Sequence, residues 1–281
     1  MNKSQSSIPV GKVSRAGRIV GTGVRVGGNY VRHYAKKMVD KSTTREELHE
    51  ANAADIYDTL SELKGSALKV AQMMSMDKNV LPRAYANRFQ MSQYSAPPLS
   101  GPLVVRTFRE AFGKGPGQLY DRFNTEAMNA ASIGQVHEAY VGDHRLAVKV
   151  QYPGVADSVS SDLKMVRPLA IRLLSLNERE VDKYMAEVKD KLIEETNYDL
   201  ELRRGQEIAA ACGHLTNLRF PKYYPERSAR KILTMDWMEG MHLDEFMATD
   251  PSQEVRNRIG QALWDFYHFQ VHTLRQVHAD P

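Results

Sequence analysis

The sequence contains a single cysteine, Cys212, among 281 residues. One thiol excludes an intrachain disulfide framework and any zinc site built from several cysteines, and it fits a reducing compartment. The chain also lacks an apolar run of roughly 18 residues, so no transmembrane helix is expected. Hydrophobic residues make up 42% and charged residues 26%, as in an ordinary globular protein of one large or two small domains.

Acidic residues are missing from residues 1–37, which hold eight lysines and arginines. The other 30 basic and 34 acidic residues give the rest of the chain a net charge of −4, although the whole chain carries +4. We interpret residues 1–41 as a basic, flexible or weakly helical arm. Attraction to an anionic membrane surface and a mitochondrial transit peptide are the alternatives. Nucleic-acid binding is not expected, because basic and aromatic residues are not interleaved there.

The spacing of apolar residues predicts the order of secondary structure. Helices are expected over residues 42–80, 103–112, 157–176, 180–211 and 252–277. Two β-rich runs, 131–142 and 144–154, flank a Gly-Asp turn and predict a hairpin, and residues 230–240 predict a further strand. This order predicts an α+β fold, because a doubly wound sheet would alternate strands and helices regularly.

Lys149 lies in the strand sequence Ala-Val-Lys-Val. Its simplest interpretation is an exposed strand lysine, since a lysine among apolar neighbours needs a partner or solvent. The preceding turn, however, consists of small residues, including Ala130, Ala131, Ser132 and Gly134, whose backbone a ligand could approach closely. Protein kinases have the same order: a small-residue turn over the ATP phosphates, then a strand with a lysine.

Three later features fit the kinase order. The helical run 180–211 offers Glu194, Glu195 and Glu201 as partners for the lysine. The predicted strand in residues 230–240 leads into a short acidic and aromatic segment around Asp236 and Met238. This segment is typical of a kinase hinge, whose backbone would bind adenine. His278-Ala279-Asp280 matches the opening of a kinase catalytic loop.

These motifs resemble the UbiB/AarF family of atypical protein-kinase-like proteins, from about residue 50 to the end of the chain. The sequences SIGQVH and AVKVQYPGV are the most specific, and ALKVAQMMSMD, EETNYDLELRRG, ILTMDWMEG and HADP agree with them. We interpret residues 113–117 as a loop. The i, i+4 pair His268 and His272 is interpreted as part of an ordinary helix face.

The resemblance implies a role for each matched residue. Ala130, Ala131 and Ser132 fall on the family's Ala-rich nucleotide loop, and Lys149 falls on the strand lysine. Glu195 falls on the first acid of an E-x-D motif and would pair with Lys149. Asp280 falls on the catalytic aspartate, and Lys69 and Gln72 fall on the ends of a K-x-G-Q motif that covers the active site. Ala71, Asn129 and Asn197 depart from the family pattern.

The function implied by the resemblance is Mg-ATP-dependent phosphotransfer or ATP hydrolysis, linked to isoprenoid-quinone biosynthesis or membrane lipid homeostasis. A non-catalytic nucleotide-gated scaffold and a lipid-binding membrane adaptor are the alternatives. A lipid, a quinone precursor and a membrane surface are the expected partners. The expected location is cytoplasmic or peripheral to a bacterial inner membrane, with a mitochondrial location as the alternative.

The resemblance also predicts four parts: a basic arm (1–41), a helical extension (42–120), a kinase-like N-lobe with inserted helices (121–240) and the start of an incomplete C-lobe (241–281). The family's magnesium-binding asparagine and D-F-G-like aspartate have no counterpart here, so no metal ligand is assigned within the chain. We therefore expect residues 1–281 alone to bind Mg-ATP weakly and to be inactive.

Overall fold

The computed structural model describes residues 12–63, 83–90, 99–130, 133–174 and 178–277. The helices in these ranges are α1 (Lys12–Val39), α2 (Arg45–Leu63), α3 (Arg83–Gln90), α4 (Gly101–Phe112), α5 (Val155–Leu174), α6 (Glu178–Glu195), α7 (Tyr198–Ala211), α8 (Leu243–Ala248) and α9 (Gln253–Phe269). A π-helical turn, Gln270–Leu274, continues α9. Within these ranges, no helix is both long and apolar enough to cross a membrane.

The strands form one antiparallel sheet. They are β1 (Arg122–Phe123), β2 (Asn129–Ala130), β3 (Gly134–Val141), β4 (His144–Gln151) and β5 (Ile232–Asp236). The order across the sheet is β1-β3-β4-β5, and β2 also pairs with β3. Helices and an antiparallel sheet together confirm the predicted α+β fold.

The predicted hairpin is confirmed as β3 and β4. Gly142 has a φ of 57° in the turn, a left-handed conformation that glycine adopts at little cost. Side chains alternate along β4: Leu146, Val148 and Val150 are fully buried on one face, whereas Lys149 points to the other. The alternation of apolar side chains along β4 therefore places Lys149 on the face of the strand that is turned away from the main core.

The buried face of the sheet packs against α4. Phe108 of α4 contacts Tyr120 and Phe123 edge to face, with ring centroids 6.1 and 5.2 Å away. Phe123 in turn stacks on His137 of β3 at 5.1 Å. Offset and edge-to-face ring pairs stabilise a core beyond the area that they bury, so this aromatic layer fixes α4 on the sheet.

His137 is a neutral core residue. Gln135 accepts from the Leu99 N–H at 2.7 Å through its side-chain oxygen, so its amide nitrogen faces His137 Nε2 at 2.8 Å and donates to it. Nδ1–H then donates to the Asn124 carbonyl oxygen at 2.9 Å. Burial lowers the pKa of His137, and the Asn124 carbonyl opposes that shift only in part. The Gln-Val-His part of the family motif therefore serves the core.

Residues 12–39 form helix α1, so of the two forms predicted for the basic arm, flexible or weakly helical, this part has the helical one. The helix docks through polar side chains: Asn29 donates to Asp55 at 2.7 Å and to Asn52 at 3.1 Å, and Thr22 contacts Thr59. Composition suggested flexibility because the segment is rich in glycine and arginine and contains no acidic residue. The seven-residue spacing of Arg15, Thr22 and Asn29 places all three on one helix face, which explains the docking.

A buried ion pair joins α1 to α5. Arg15 donates from Nε and Nη2 to the two carboxylate oxygens of Asp162 at 2.8 and 2.5 Å. Ser158 donates to the same carboxylate at 2.9 Å. The side chains of Arg15 and Asp162 are 4% and 0% exposed, so each charge depends on the other for compensation.

Two predicted helices differ from those observed. The run 180–211 is not one helix, because it breaks between Glu195 and Tyr198, where the Asn197 side chain accepts from the Leu200 N–H and starts α7. The run 252–277 is α-helical only to Phe269. The predicted helices 103–112 and 157–176 correspond to α4 and α5, and the part of 42–80 beyond Leu63 lies outside the described residues.

Replacing Arg15 by alanine should undock α1 from α5. The substitution removes the guanidinium that bonds both oxygens of the buried Asp162 carboxylate, at a cost of about 3 kcal/mol. Amide hydrogen exchange should therefore lose protection by roughly a hundredfold in α1, with a smaller change in the sheet. The double variant Arg15→Met/Asp162→Leu is the control, because it removes both charges and should recover most of the protection. Equal losses in both variants would contradict this account.

Acidification should destabilise the fold through His137. Its pKa is lowered in the folded state, so below about pH 6.5 the unfolded chain binds a proton that the folded chain excludes. Stability should fall by at most about 1.4 kcal/mol per pH unit from this group. Urea unfolding near neutral pH and about one unit below 6.5 measures it. His137→Gln should be less stable at neutral pH but lose less stability on acidification. An unchanged pH dependence would exclude this role of His137.

Candidate functional site

Lys149 lies at the centre of the sheet. In the ladder it pairs with Val136 of β3 on one side and with Leu233 of β5 on the other. Its side chain is 22% exposed, so the ammonium group is largely enclosed and still reachable from solvent. A cation in such a place needs compensation of its charge.

Glu201 of α7 supplies that compensation. Lys149 Nζ donates to Oε1 and Oε2 of Glu201 at 2.8 and 2.9 Å. The prediction that Lys149 pairs with Glu195 is therefore corrected: the paired acid lies six residues later. The physical reason is the helix break after Glu195, because it places Glu195 at the end of α6 and Glu201 in the first turn of α7.

Helix α7 presents one face to the sheet. Tyr198, Glu201 and Gly205 are spaced by three and four residues and so lie on the same side of the helix. Glu201 contacts Lys149, and Tyr198 lies below the ammonium group, with its ring centroid 4.7 Å from Nζ. At Gly205, an added Cβ would overlap the Tyr223 ring. Glycine at this position allows α7 to approach closely.

Tyr198 lies beneath Lys149 and is fully buried. Among the described residues, its hydroxyl has no hydrogen-bond partner. Burial, and then the negative charge of Glu201, raise the pKa of Tyr198 well above its ordinary value. The side chain is therefore a neutral hydroxyl that can donate one hydrogen bond. An unsatisfied buried hydroxyl costs roughly 1–3 kcal/mol.

The Tyr198 hydroxyl lies at the end of the predicted nucleotide loop. A Cβ added to Gly134, the first residue of β3, would lie 2.7 Å from this hydroxyl and 2.7 Å from the Val150 carbonyl oxygen. Gly134 is thus required for a close approach of backbone and side chain rather than for flexibility. Of the predicted loop residues, Ala130 ends β2, opposite Gln135. Ala131 and Ser132 lie outside the described residues.

Asp236, predicted as a hinge residue, is used by the protein itself. Its N–H donates to the Lys222 carbonyl oxygen at 2.9 Å. Its carboxylate bonds His144 Nε2 and the Tyr224 hydroxyl, both at 2.8 Å. Burial acts to raise the pKa of Asp236, but hydrogen bonds from the Lys222 N–H, His144 and Tyr224 outweigh it and hold the pKa below its ordinary value. Because this N–H already donates to the Lys222 carbonyl oxygen, it is not available to an adenine base.

Met238 is the predicted hinge residue that remains. It follows the end of β5, and its side chain is about half exposed. Trp237, just before it, donates its N–H to the Arg145 carbonyl oxygen at 3.2 Å, and its ring stacks below the Arg145 guanidinium. The segment after β5 is thereby held against the β3–β4 hairpin.

The other predicted site residues lie outside the described residues. These are Lys69 and Gln72 of the K-x-G-Q match and Asp280 of the catalytic-loop match. Within the ranges that the structure describes, no three His, Cys, Asp or Glu side chains come together as a metal site. The described part of the site is therefore the Lys149–Glu201 pair, Tyr198 and the start of β3.

Sequence reasoning named Glu201 among three acids but missed Tyr198. A capping signal could have identified both: Thr196-Asn197 precedes Tyr198, and asparagine is a preferred N-cap residue that satisfies free N–H groups of a new helix. Starting a helix at Tyr198 places Glu201 and Gly205 on its face. Glu195 is predicted as the partner of Lys149 only because it matches the first acid of the E-x-D motif, and that match does not take the helix break into account.

Comparison with known proteins identifies the family of this chain. Residues 91–281 match the family model described as the ABC1 atypical kinase-like domain. The probable serine/threonine-protein kinase abkA of Dictyostelium discoideum is 26% identical over 98% of this chain and 52% of its own length. The mitochondrial atypical kinase COQ8 of Saccharomyces cerevisiae is 28% identical over 98% of this chain and 56% of its own length.

A third relative, the mitochondrial atypical kinase coq-8 of Caenorhabditis elegans, is 30% identical over 83% of this chain and 31% of its own length. Among solved structures, a Mycobacterium tuberculosis protein in complex with erythromycin is 28% identical, with a TM-score of 0.47 over 76% of this chain and 55% of that one. The chain spans about half the length, or less, of these curated relatives. Because the family model matches more than half of the chain and includes the Lys149–Glu201 site, the chain belongs to the ABC1 atypical kinase-like family, also called UbiB/AarF.

Proposed function

We propose that this chain binds ATP with magnesium at the Lys149 site and belongs to a phosphotransferase or ATPase. The bidentate ion pair between Lys149 and Glu201 carries the proposal. In kinases such a strand lysine, held by a helix glutamate, neutralises the nucleotide phosphates. A link to isoprenoid-quinone biosynthesis or membrane lipid homeostasis follows from the family resemblance and is part of the proposal.

The charges and exposure of the pair support phosphate binding. An ammonium group has three N–H donors, and Glu201 accepts two of them. The third remains for an anion, and the partial exposure of both side chains, 22% and 37%, gives an anion access. Glu201 would hold the ammonium in place, and Lys149 would offset the negative charge of the phosphates.

The loop before β3 supports the same site. Gly134 lets this strand begin against Tyr198. In the sequence, the three residues from 130 to 132 all have small side chains, which a ligand-binding turn needs for a close approach of its backbone. The buried Tyr198 hydroxyl is a suitable donor for a bound polar group. The magnesium ion would shield the phosphates when bound. Since the described residues offer no metal cluster, none of them is assigned as its ligand.

Substitutions in the ion pair should weaken nucleotide binding. Lys149→Ala removes the cation and should lower the affinity for a fluorescent ATP analogue with magnesium by roughly a hundredfold. Glu201→Gln keeps the shape of the side chain but releases the ammonium, and about a tenfold loss is expected. Fluorescence titration of the 281-residue chain measures both, and thermal unfolding checks that each variant is folded.

Glu207→Gln is the matched control, because it makes the same chemical change on an exposed position of α7. It should bind the nucleotide like the unsubstituted chain. Glu195→Gln should cost less affinity than Glu201→Gln, and the reverse order would restore the motif-based pairing. Unchanged affinity in Lys149→Ala would overturn the proposed function. Binding that depends on Lys149 without turnover in the full-length protein would favour the nucleotide-gated scaffold.

Tyr198→Phe should have opposite effects on the stability of the free protein and on its affinity for the nucleotide. It removes a buried hydroxyl that lacks a partner in the described residues, so the free protein should become more stable by about 1 kcal/mol. If the hydroxyl serves the nucleotide, affinity should fall several-fold in the same variant. Tyr120→Phe is the control, because it breaks the buried hydrogen bond to Thr234 and should cost stability without changing affinity. Unchanged nucleotide affinity in Tyr198→Phe would exclude this role of the hydroxyl.

A further inference from the structure

Arg145 ties the β3–β4 hairpin to the segment that follows β5. Its Nε donates to Glu138 Oε1 of β3 at 2.7 Å, and its Nη1 donates to Glu239 beyond the end of β5. The guanidinium carbon also lies 4.1 Å from the centre of the Trp237 ring. The backbone carbonyl oxygen of Arg145 accepts the Trp237 N–H at 3.2 Å. One residue of β4 therefore contacts β3 and two residues beyond the end of β5.

The linker, residues 237–242, joins β5 to α8 and has no regular secondary structure. Asp236, just before it, is still paired in the sheet, and Glu239 is bound by the guanidinium group. At the next residue, Gly240, an added Cβ would meet no described atom within 4 Å. The contacts of the linker with the hairpin therefore centre on the residues that flank Met238.

Met238 is the predicted hinge residue whose backbone would meet adenine. Its side chain is 47% exposed, and among the described residues its N–H makes no hydrogen bond. Both of its neighbours in the chain contact Arg145, one through the ring of Trp237 and the other through the carboxylate of Glu239. A backbone group between two held residues keeps its direction, which a hydrogen bond to a planar base requires.

The contacts of Arg145 are suited to orienting the linker rather than to stabilising the fold. The side chains of Arg145 and Glu239 are 31% and 73% exposed, and an exposed ion pair adds little to the free energy of unfolding. A cation over an aromatic ring that is open to solvent likewise adds little. A guanidinium group nevertheless fixes the direction of its partners, because its donors point along set directions in one plane.

We propose that Arg145 is a positioning residue for the base of the nucleotide. By holding Trp237 and Glu239 it fixes the backbone at Met238, and it thereby determines how much of the affinity for ATP comes from adenine. The inference rests on the proposed ATP site at Lys149 and adds a determinant of base specificity to it. Adenine has a donor at N6 where guanine has an acceptor at O6, so a fixed backbone discriminates between the two bases.

Competition with a fluorescent ATP analogue measures the affinity of the 281-residue chain for ATP, GTP and inorganic tripolyphosphate, each with magnesium. The unsubstituted chain should bind ATP about tenfold more tightly than GTP. Arg145→Ala should lower the affinity for ATP roughly fivefold to tenfold and bring the ratio of ATP to GTP affinity close to one. Its affinity for tripolyphosphate, which has no base, should be unchanged. Arg145→Lys should resemble Arg145→Ala, since an ammonium group keeps the charge but not the planar fork.

Arg122→Ala is the matched control, because Arg122 lies over the Tyr140 ring at 4.0 Å, in the same type of contact but on β1. It should leave all three affinities unchanged. Glu239→Gln changes one exposed side chain, so it tests the same contact even where Arg145→Ala folds poorly. It should lower the ratio of ATP to GTP affinity about threefold, because it weakens one of the two acid contacts of the guanidinium.

Trp237 reports directly on the linker, because the chain has two tryptophans and Trp264→Phe leaves this one. Its emission should shift to longer wavelength in Arg145→Ala, where the ring loses the guanidinium that lies over it. An unchanged ratio of ATP to GTP affinity in Arg145→Ala, with binding that still depends on Lys149, would overturn the role of Arg145 and leave the ATP site intact. An equal loss of ATP and tripolyphosphate affinity would overturn that role as well. Binding that does not depend on Lys149 would contradict the ATP site itself.

Discussion

The charge of Lys149 constrains the site more than any other single feature. It lies on β4, between β3 and β5, and its largely enclosed ammonium group must be compensated where it stands. Glu201 compensates it with both carboxylate oxygens, which requires the first turn of α7 to lie directly over β4. That position in turn depends on two glycines, because side chains at Gly134 or Gly205 would push the sheet and the helix apart.

The helix break at Asn197 is the local cause of this geometry. If α6 continued through residues 196 and 197 without a break, Glu194, Glu195 and Glu201 would all lie on one continuous helix. Instead, Thr196 accepts the Gln151 amide on its carbonyl oxygen at 2.9 Å, and Asn197 caps a new helix. The chain therefore changes direction beside the end of β4, and α7 begins where Lys149 can be reached. Asn197, which departs from the family's E-x-D pattern, has a clear structural use as an N-cap.

The sequence could predict the parts of the fold that depend on local pattern. Alternating apolar residues predicted the β3–β4 hairpin, and helical spacing predicted α4 and α5 to within a few residues. It could not predict which glutamate faces Lys149, because the answer depends on a turn whose direction is set by contacts between distant segments. It left open whether α1 is flexible or helical, since a helix that buries polar residues and exposes apolar ones has the composition of an undocked segment.

Two of the bidentate ion pairs among the described residues differ in burial, and the difference distinguishes a pair enclosed in the interior from one that an anion can reach. Arg15 and Asp162 are held at 4% and 0% exposure, so their ion pair lies in the protein interior and joins α1 to α5. Lys149 and Glu201 have the same type of contact at 22% and 37% exposure. In the first pair, an added anion would have to displace a partner from the protein interior. In the second, the ammonium keeps one donor and an open side, so it can hold its glutamate and receive a phosphate together. The difference in access, rather than the strength of either pair, is the reason for proposing Lys149 as the residue that binds the nucleotide phosphates.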